Sequence, residues 1–211
     1  MKVHKLVFSP IAVNTYILDD EEGNCAIIDC GCYNDEEFVV LKDFLSERNL
    51  KPTILLNTHL HLDHIFGNGR MLKEFGLLTH AAAEEENNRK SATNHALMFG
   101  MTMEEPPEIG KIISGGELIK FGAIDIKTIF VPGHTAGSIA YYMENEKIVF
   151  TGDALFEGSI GRTDLPGGDY DTLISSIKKG LLSLASDTVI YPGHGNESTI
   201  ENEKENNPYL K

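Results

Sequence analysis

The runs Val3 to Phe8, Asn14 to Leu18 and Cys25 to Asp29 are rich in β-prone apolar residues set between polar ones and read as strands. Asp20-Glu21-Glu22-Gly23 separates the second run from the third as a hairpin turn, so the chain opens as an antiparallel meander. The pattern then changes: Phe38, Leu41, Phe44 and Leu45 recur at helical spacing, and Asn34 followed by Glu37 supplies an N-cap and its reciprocal partner, predicting a helix over 35–48. Thr53 to Asn57 is a short, mostly apolar strand, and Thr58 to Ile65 forms the loop or helix start after it. Residues 66–75 and 81–90 carry helical spacing. The stretch from Ser91 to Gly116, with Met98, Met101 and Met103, is less regular and predicts a flap that lines an apolar pocket or packs on the core.

β patterning resumes at Glu117 to Phe121 and continues through Ile124 to Val131, Ser138 to Met143 and Lys147 to Thr151. An amphipathic helix is expected over 170–184, a strand over Thr188 to Tyr191 and a surface helix over 198–207. Strands then helix recur in both halves, which a duplicated αβ/βα plan explains, although no residue-level repeat accompanies it. The acidic runs Glu84-Glu85-Glu86 and 201–205 read as solvated faces. A length of 211 residues, with no linker or low-complexity stretch, predicts a single domain over 1–211.

Thirty-two acidic residues against 18 basic ones leave a formal charge of −14, which argues against nucleic acid as a partner, because phosphate binding needs clustered Lys and Arg. No apolar run reaches the roughly 18 residues that span a bilayer, and no export signal is visible at the N-terminus. Cys25, Cys30 and Cys32 lie too close together to staple the fold, so reduced thiols and a cytoplasmic location are expected. The expected partner is a small-molecule substrate; oligomeric state is not encoded in these patterns.

One segment changes the picture from fold to chemistry. His59-x-His61-x-Asp63-His64 packs three imidazoles and a carboxylate into six residues, the ligand types that Zn²⁺, Fe²⁺ and Mn²⁺ accept. Pro132-Gly133-His134-Thr135, Thr151-Gly152-Asp153 and Pro192-Gly193-His194-Gly195 each follow an apolar strand directly, where tight glycine turns let strand ends converge. Together they offer seven donors. His4, His80 and His95 match no such context and read as surface or core residues.

The order His-x-His-x-Asp-His, Pro-Gly-His-Thr, Thr-Gly-Asp, Pro-Gly-His resembles the metallo-β-lactamase superfamily nearly end to end. Within it, Thr151 to Asp169 and the ending Asn207-Pro208-Tyr209-Leu210 are similar to the short, single-domain branch of the glyoxalase II-like hydrolases. The resemblance implies an α/β fold, a four-layer αβ/βα sandwich, and two divalent metal ions, zinc first with iron or manganese as alternatives. It implies further that His59, His61 and His134 hold one ion, that Asp63, His64 and His194 hold the other, and that Asp153 bridges them. The activity implied is thioester hydrolysis by metal-activated water, with Asp63 orienting the nucleophile. Glyoxalase II proper continues into a helical domain that supplies much of its glutathione recognition, whereas only 17 residues follow His194. Arg162 is the candidate for a substrate carboxylate, against a structural ion pair with Asp164 or Asp169.

Gly161-Arg162-Thr163-Asp164 also resembles the persulfide dioxygenases, whose single iron would be held here by His59, His134 and Asp153. A non-catalytic metal-binding module is the alternative of another class, and retention of all seven donors argues against it. Cys30 stands where relatives place Pro in Asp-Pro-Gly, and Phe66 stands where they often place Gly. Neither change removes a donor. Cys30 and Cys32 read as buried structural thiols rather than a redox pair.

Overall fold

The computed structural model describes residues 1–211. Strands β1 (Lys2–Phe8), β2 (Val13–Asp19) and β3 (Asn24–Ile28) form the expected meander, and helix α1 (Asp35–Glu47) follows, its Asn34 side chain accepting a hydrogen bond from Glu37 N. Strand β4 (Lys51–Leu56) leads into the one-turn helix α2 (Leu62–Ile65) and then α3 (Asn68–Phe75). Strand β5 (Thr79–Ala81), helix α4 (Glu86–Met98) and strand β6 (Lys111–Ile112) complete the first half. The six strands make one sheet in sequence order, antiparallel through β3 and parallel from β3 to β6.

The second half contains β7 (Leu118–Phe121), β8 (Ile124–Phe130), β9 (Ile139–Met143) and β10 (Ile148–Gly152), then the small hairpin β11 (Leu155–Phe156) and β12 (Ser159–Ile160). Helix α5 (Tyr170–Ser176) continues as a π-turn over Ile177–Leu181, and β13 (Val189–Pro192), β14 (Ser198–Thr199) and α6 (Ile200–Asn206) end the chain. Its six-stranded sheet runs β14-β13-β10-β9-β8-β7.

Side-chain alternation builds the layers. On β2, Tyr16 and Leu18 point into a core shared by both sheets, with Ile28, Leu56, Ile126, Tyr141 and Phe150. Ile17, between them, points the other way, joining Ile27 and Leu55 against Phe38, Leu41 and Met71 of α1 and α3. The second sheet repeats the scheme: Ala140, Val149 and Ile190 back onto Leu173, Ile177, Leu181 and Ile200. Helix, sheet, sheet, helix is the four-layer sandwich that the family resemblance implied. Each fully buried aliphatic side chain contributes roughly 1.5–3 kcal/mol, and the ends of β4, β8, β10 and β13 are held in place by this packing.

Three expectations are corrected. The stretch from Ser91 is helical as far as Met98, with the small side chains of Ala92 and Ala96 on its buried face; Met101 joins the core beside Leu60 and Phe66, whereas Met98 is exposed. Glu203, in the acidic tail expected to be solvated, is fully buried and accepts hydrogen bonds from Gly158 N and Asn207 Nδ2. Glu85 is fully buried too, accepting from Leu60 N at 2.8 Å, Gly137 N at 2.9 Å and Asn88 Nδ2 at 2.9 Å. It ties the loop after β4 to the loop before β9. Glu85→Ala would orphan two buried amides, so it is expected to cost about 2–4 kcal/mol and lower Tm by roughly 5–12 °C for a chain this size, measurable by thermal unfolding.

Candidate metal centre

The two sheets bring their strand ends together at one edge, and all seven sequence-predicted donors meet there. His59 and His61 follow β4; Asp63 and His64 lie on α2; His134, Asp153 and His194 follow β8, β10 and β13. His59, His61 and His134 form one potential ion-holding group, Asp63, His64 and His194 a second, and His59, His64 and Asp153 a third between them, the donor atoms of each lying within 4.8 Å of one another. Asp153 Oδ1 is 3.3 Å from His64 Nε2, while its Oδ2 is 3.6 Å from His194 Nε2 and 3.7 Å from His134 Nε2. Asp63 Oδ2 stands 3.0 Å from His194 Nε2.

The outer nitrogens fix which way each ring points. His134 Nδ1 donates to Arg162 O at 2.8 Å, and His194 Nδ1 donates to Ala12 O at 3.1 Å. His64 Nδ1 donates to Asp29 Oδ2 at 2.9 Å. Thr58 Oγ1 gives its own proton to Asp29 Oδ2 at 2.7 Å, so its lone pair receives His59 Nδ1 at 3.1 Å. Each of these rings then aims Nε2 inward.

Two observations test whether a cation fits. His59 Nε2 and His134 Nε2 lie 3.2 Å apart with no proton to share, close to the roughly 3.3 Å that two tetrahedral ligands at about 2.05 Å from zinc would span. His64 Nε2 and Asp153 Oδ1 are buried without a hydrogen-bond partner. Buried polar atoms are rarely left unpaired, and a divalent ion satisfies both at once. The donor set suits divalent metals.

Charge follows the same geometry. Burial, reinforced by the surrounding imidazoles, holds His59 well below the ordinary histidine value, and burial with His134 beside it brings His61 down to about 3. Burial pushes His64 the same way, but Asp153, Asp63 and Asp29 outweigh it and hold this ring well above the ordinary value. His194 is likewise penalised by burial and yet raised by its bond to Asp63 and the charge of Asp153. Burial opposes ionisation of Asp63 and Asp153, and the His64 cation overcomes it in both, leaving each below the usual carboxylate range. The carboxylates that raise His64 and His194 favour a proton on these rings, with which a metal ion would compete.

Asp29 was missed as a functional residue. It sits just after β3 at φ 55°, is 2 % exposed, and accepts from Thr58 N, Thr58 Oγ1, Asn57 Nδ2 and His64 Nδ1. Its signal in the sequence is its place in Asp29-Cys30-Gly31, directly after an apolar strand. Of the two readings of Arg162, the structure shows the ion pair: its exposed guanidinium is bidentate to Asp164 at 2.7 Å, and its backbone carbonyl accepts from His134 Nδ1. Asp169 caps α5. Cys30 and Cys32 are buried free thiols. No helix is long and apolar enough to cross a membrane.

Known proteins resemble this chain from end to end. Hydroxyacylglutathione hydrolase GloC of Haemophilus influenzae is 36% identical over 217 residues, covering 100% of this chain and 98% of that protein. The crystal structure of BLEG-1 B3 metallo-beta-lactamase superposes with a TM-score of 0.90 at 30% identity, covering 100% of both chains. That of TTHA1623 in a di-iron-bound form does so with a TM-score of 0.87 at 30% identity, covering 99% of this chain and 100% of that one. A family model described as the metallo-beta-lactamase superfamily matches residues 9–194, from the loop before β2 to the last of the seven donors. With its four layers and its histidine-rich strand ends accounted for, the chain belongs to the metallo-beta-lactamase superfamily.

Proposed function

We propose that the protein is a thioesterase that hydrolyses a hydroxyacyl-thiol, with two divalent ions, zinc first, at the edge of the sandwich. The observation that supports it most is the pair of adjoining donor groups with Asp153 between them, in a chain aligned along its whole length with a hydroxyacylglutathione hydrolase. His59, His61 and His134 would hold one ion, and Asp63, His64 and His194 the other, with Asp153 reaching both. When bound, the ions bring the pKa of water from 15.7 to about 7 and stabilise the oxyanion that develops at a carbonyl.

The chain's own residues do the positioning. Asp63, 8 % exposed at the mouth of the site, accepts the hydrogen bond that orients the attacking water. Asp29 and the Ala12 carbonyl keep His64 and His194 from rotating as charge builds. A thiol leaves readily because its pKa is about 8.5, far below that of an alcohol, so no strong general acid is required.

The test joins elemental analysis of anaerobically purified protein to a thioester panel. Close to two ions per chain with hydrolysis of a hydroxyacyl-glutathione thioester supports the reading. One iron per chain with oxygen uptake on glutathione persulfide would overturn it in favour of persulfide oxidation, and metal uptake without turnover on any thioester would leave a binding module. Chelation gives a further expectation. A metal present at a hundred times its Kd stabilises by about 2.7 kcal/mol per site, so stripping it is expected to lower Tm by roughly 5–10 °C for each ion lost and about twice that for both, reversibly on re-addition.

A further inference from the structure

Packing alone does not fix His194. His59, His64 and His134 are buried, whereas 25 % of the His194 side chain is exposed. It stands in the turn Pro192-Gly193-His194-Gly195, where two glycines leave the backbone free to swing. The hold on this turn comes from the other sheet. An isolated antiparallel bridge joins His194 to Val13 at the start of β2, and Asn14 N donates to Gly193 O at 2.7 Å.

The Asn14 side chain, 1 % exposed, brackets the same turn. Its Nδ2 donates to Pro192 O at 2.9 Å and to Gly195 O at 3.1 Å, carbonyls that lie on either side of His194. Tyr16 closes the network: its hydroxyl donates to Pro192 O at 2.7 Å and accepts from Asn14 Nδ2 at 3.1 Å. An amide nitrogen with two hydrogens thus meets three acceptors and is wholly committed here. The first ion group has a separate tie. Glu85 joins Leu60 N, between His59 and His61, to Gly137 N, three residues after His134, and bonds to no residue of the 192–195 turn. The two groups are therefore held across the sheets by different side chains.

We propose that Asn14 is a positioning residue for the second ion group: its amide places His194 by holding the carbonyls on both sides of it, so that loss of the amide weakens one ion and spares the other. The inference rests on the two-ion part of the proposed function and adds the residue, in the opposite sheet, that keeps the second group assembled. Partners behind a metal ligand contribute about 10–100-fold to metal affinity.

Stepwise calorimetric titration of the metal-free protein with Zn²⁺ is the test. In Asn14→Ala the second ion is expected to bind about tenfold or more weakly, with the first within about twofold of wild type. Asn14→Asp keeps the shape but turns oxygen toward both carbonyls, and should be at least as weak. Adding Asn14→Ala to His194→Ala should cost no further affinity, since both act on one donor. A second readout needs no metal. The His194 ring signals in a ¹H–¹³C spectrum, assigned by their absence from His194→Ala, should move in Asn14→Ala while those of His59 and His134 stay. Tyr16→Phe keeps the buried ring and removes one donor to Pro192 O, so it should give the same pattern at about threefold even if Asn14→Ala does not fold.

Equal weakening of both ions, additive losses in the double variant or unmoved His194 signals would overturn the proposal and leave Asn14 a structural tie between the sheets. A wild type that binds a single ion removes the two-ion reading, and the metal-free His194 signals then decide Asn14: displacement supports its role, and constancy overturns it. Selective loss of the second ion in a protein that hydrolyses no thioester keeps Asn14 and removes the thioesterase.

Discussion

Asp153→Ala is expected to lower kcat/KM on a hydroxyacyl-thiol by about 10³-fold or more, equivalent to roughly 4 kcal/mol of transition-state stabilisation. Asp153 is the donor whose carboxylate neighbours imidazoles of both groups, 3.3 Å from His64, 3.6 Å from His194 and 3.7 Å from His134. Removing it takes one of two inward-facing negative charges from a cluster of five imidazoles, and a second divalent ion then has Asp63 alone to offset it. The fold should be spared. Asp153 Oδ1 has no hydrogen-bond partner, so its loss orphans no paired donor; it removes one of the three carboxylate charges facing His64, with Asp29 and Asp63 remaining, and the metal-free Tm is expected to fall by a few degrees at most. Asp153→Asn, which keeps the volume and loses the charge, should fall between the two in metal content. An Asp153→Ala protein that retains two ions and full rate would remove the bridging role.

The donor set was legible because its pattern is local or tied to strand ends. His59, His61, Asp63 and His64 fall within six residues, and His134, Asp153 and His194 each follow an apolar strand that ends in a glycine turn. What holds the donors in place was not legible, for a physical reason: its partners are remote in sequence. Glu85 looks like part of an acidic surface run until Leu60 and Gly137 arrive from 25 and 52 residues away, and Asp29 meets His64 across 35. Carboxylates of this kind are indistinguishable from solvated ones by composition, because burial is decided by tertiary contacts. The helical reach of α4 to Met98 was hidden differently. Its buried face consists of Ala92, Ala96 and the half-polar Arg89, too small or too charged to produce an apolar period. Arg162 is an intermediate case: its sequence context offered both a substrate carboxylate and an ion pair with Asp164 or Asp169, and Asp164, only two residues on, takes the fork.

Gly193→Ala is expected to damage the centre nearly as much as loss of a ligand, although Gly193 donates nothing to it. A Cβ at this position would stand 2.1 Å from Asp153 Oδ1 and 2.7 Å from His64 Cε1, far inside contact distance. Neither neighbour can yield easily. His64 is fully buried and tied to Asp29, and the backbone behind Asp153 is closed by Gly161, where a Cβ would come within 1.8 Å of Asp153 O. The methyl group therefore forces Asp153 and His64 away from their inward positions, and a displacement of about 1 Å at a reacting centre costs on the order of 10²-fold in rate. Gly195→Ala, two residues along the same turn, supplies the contrast. It has open space around the added carbon but a φ of +77°, so its cost is backbone strain of roughly 1–2 kcal/mol, with the donors left where they are. Metal content and kcat measured together on the two variants separate the effects: Gly193→Ala should lose ions and rate, whereas Gly195→Ala should lose a few degrees of Tm and keep its metal. A Gly193→Ala protein with unchanged metal affinity would mean that Asp153 and His64 are not confined as the close packing of these glycines requires.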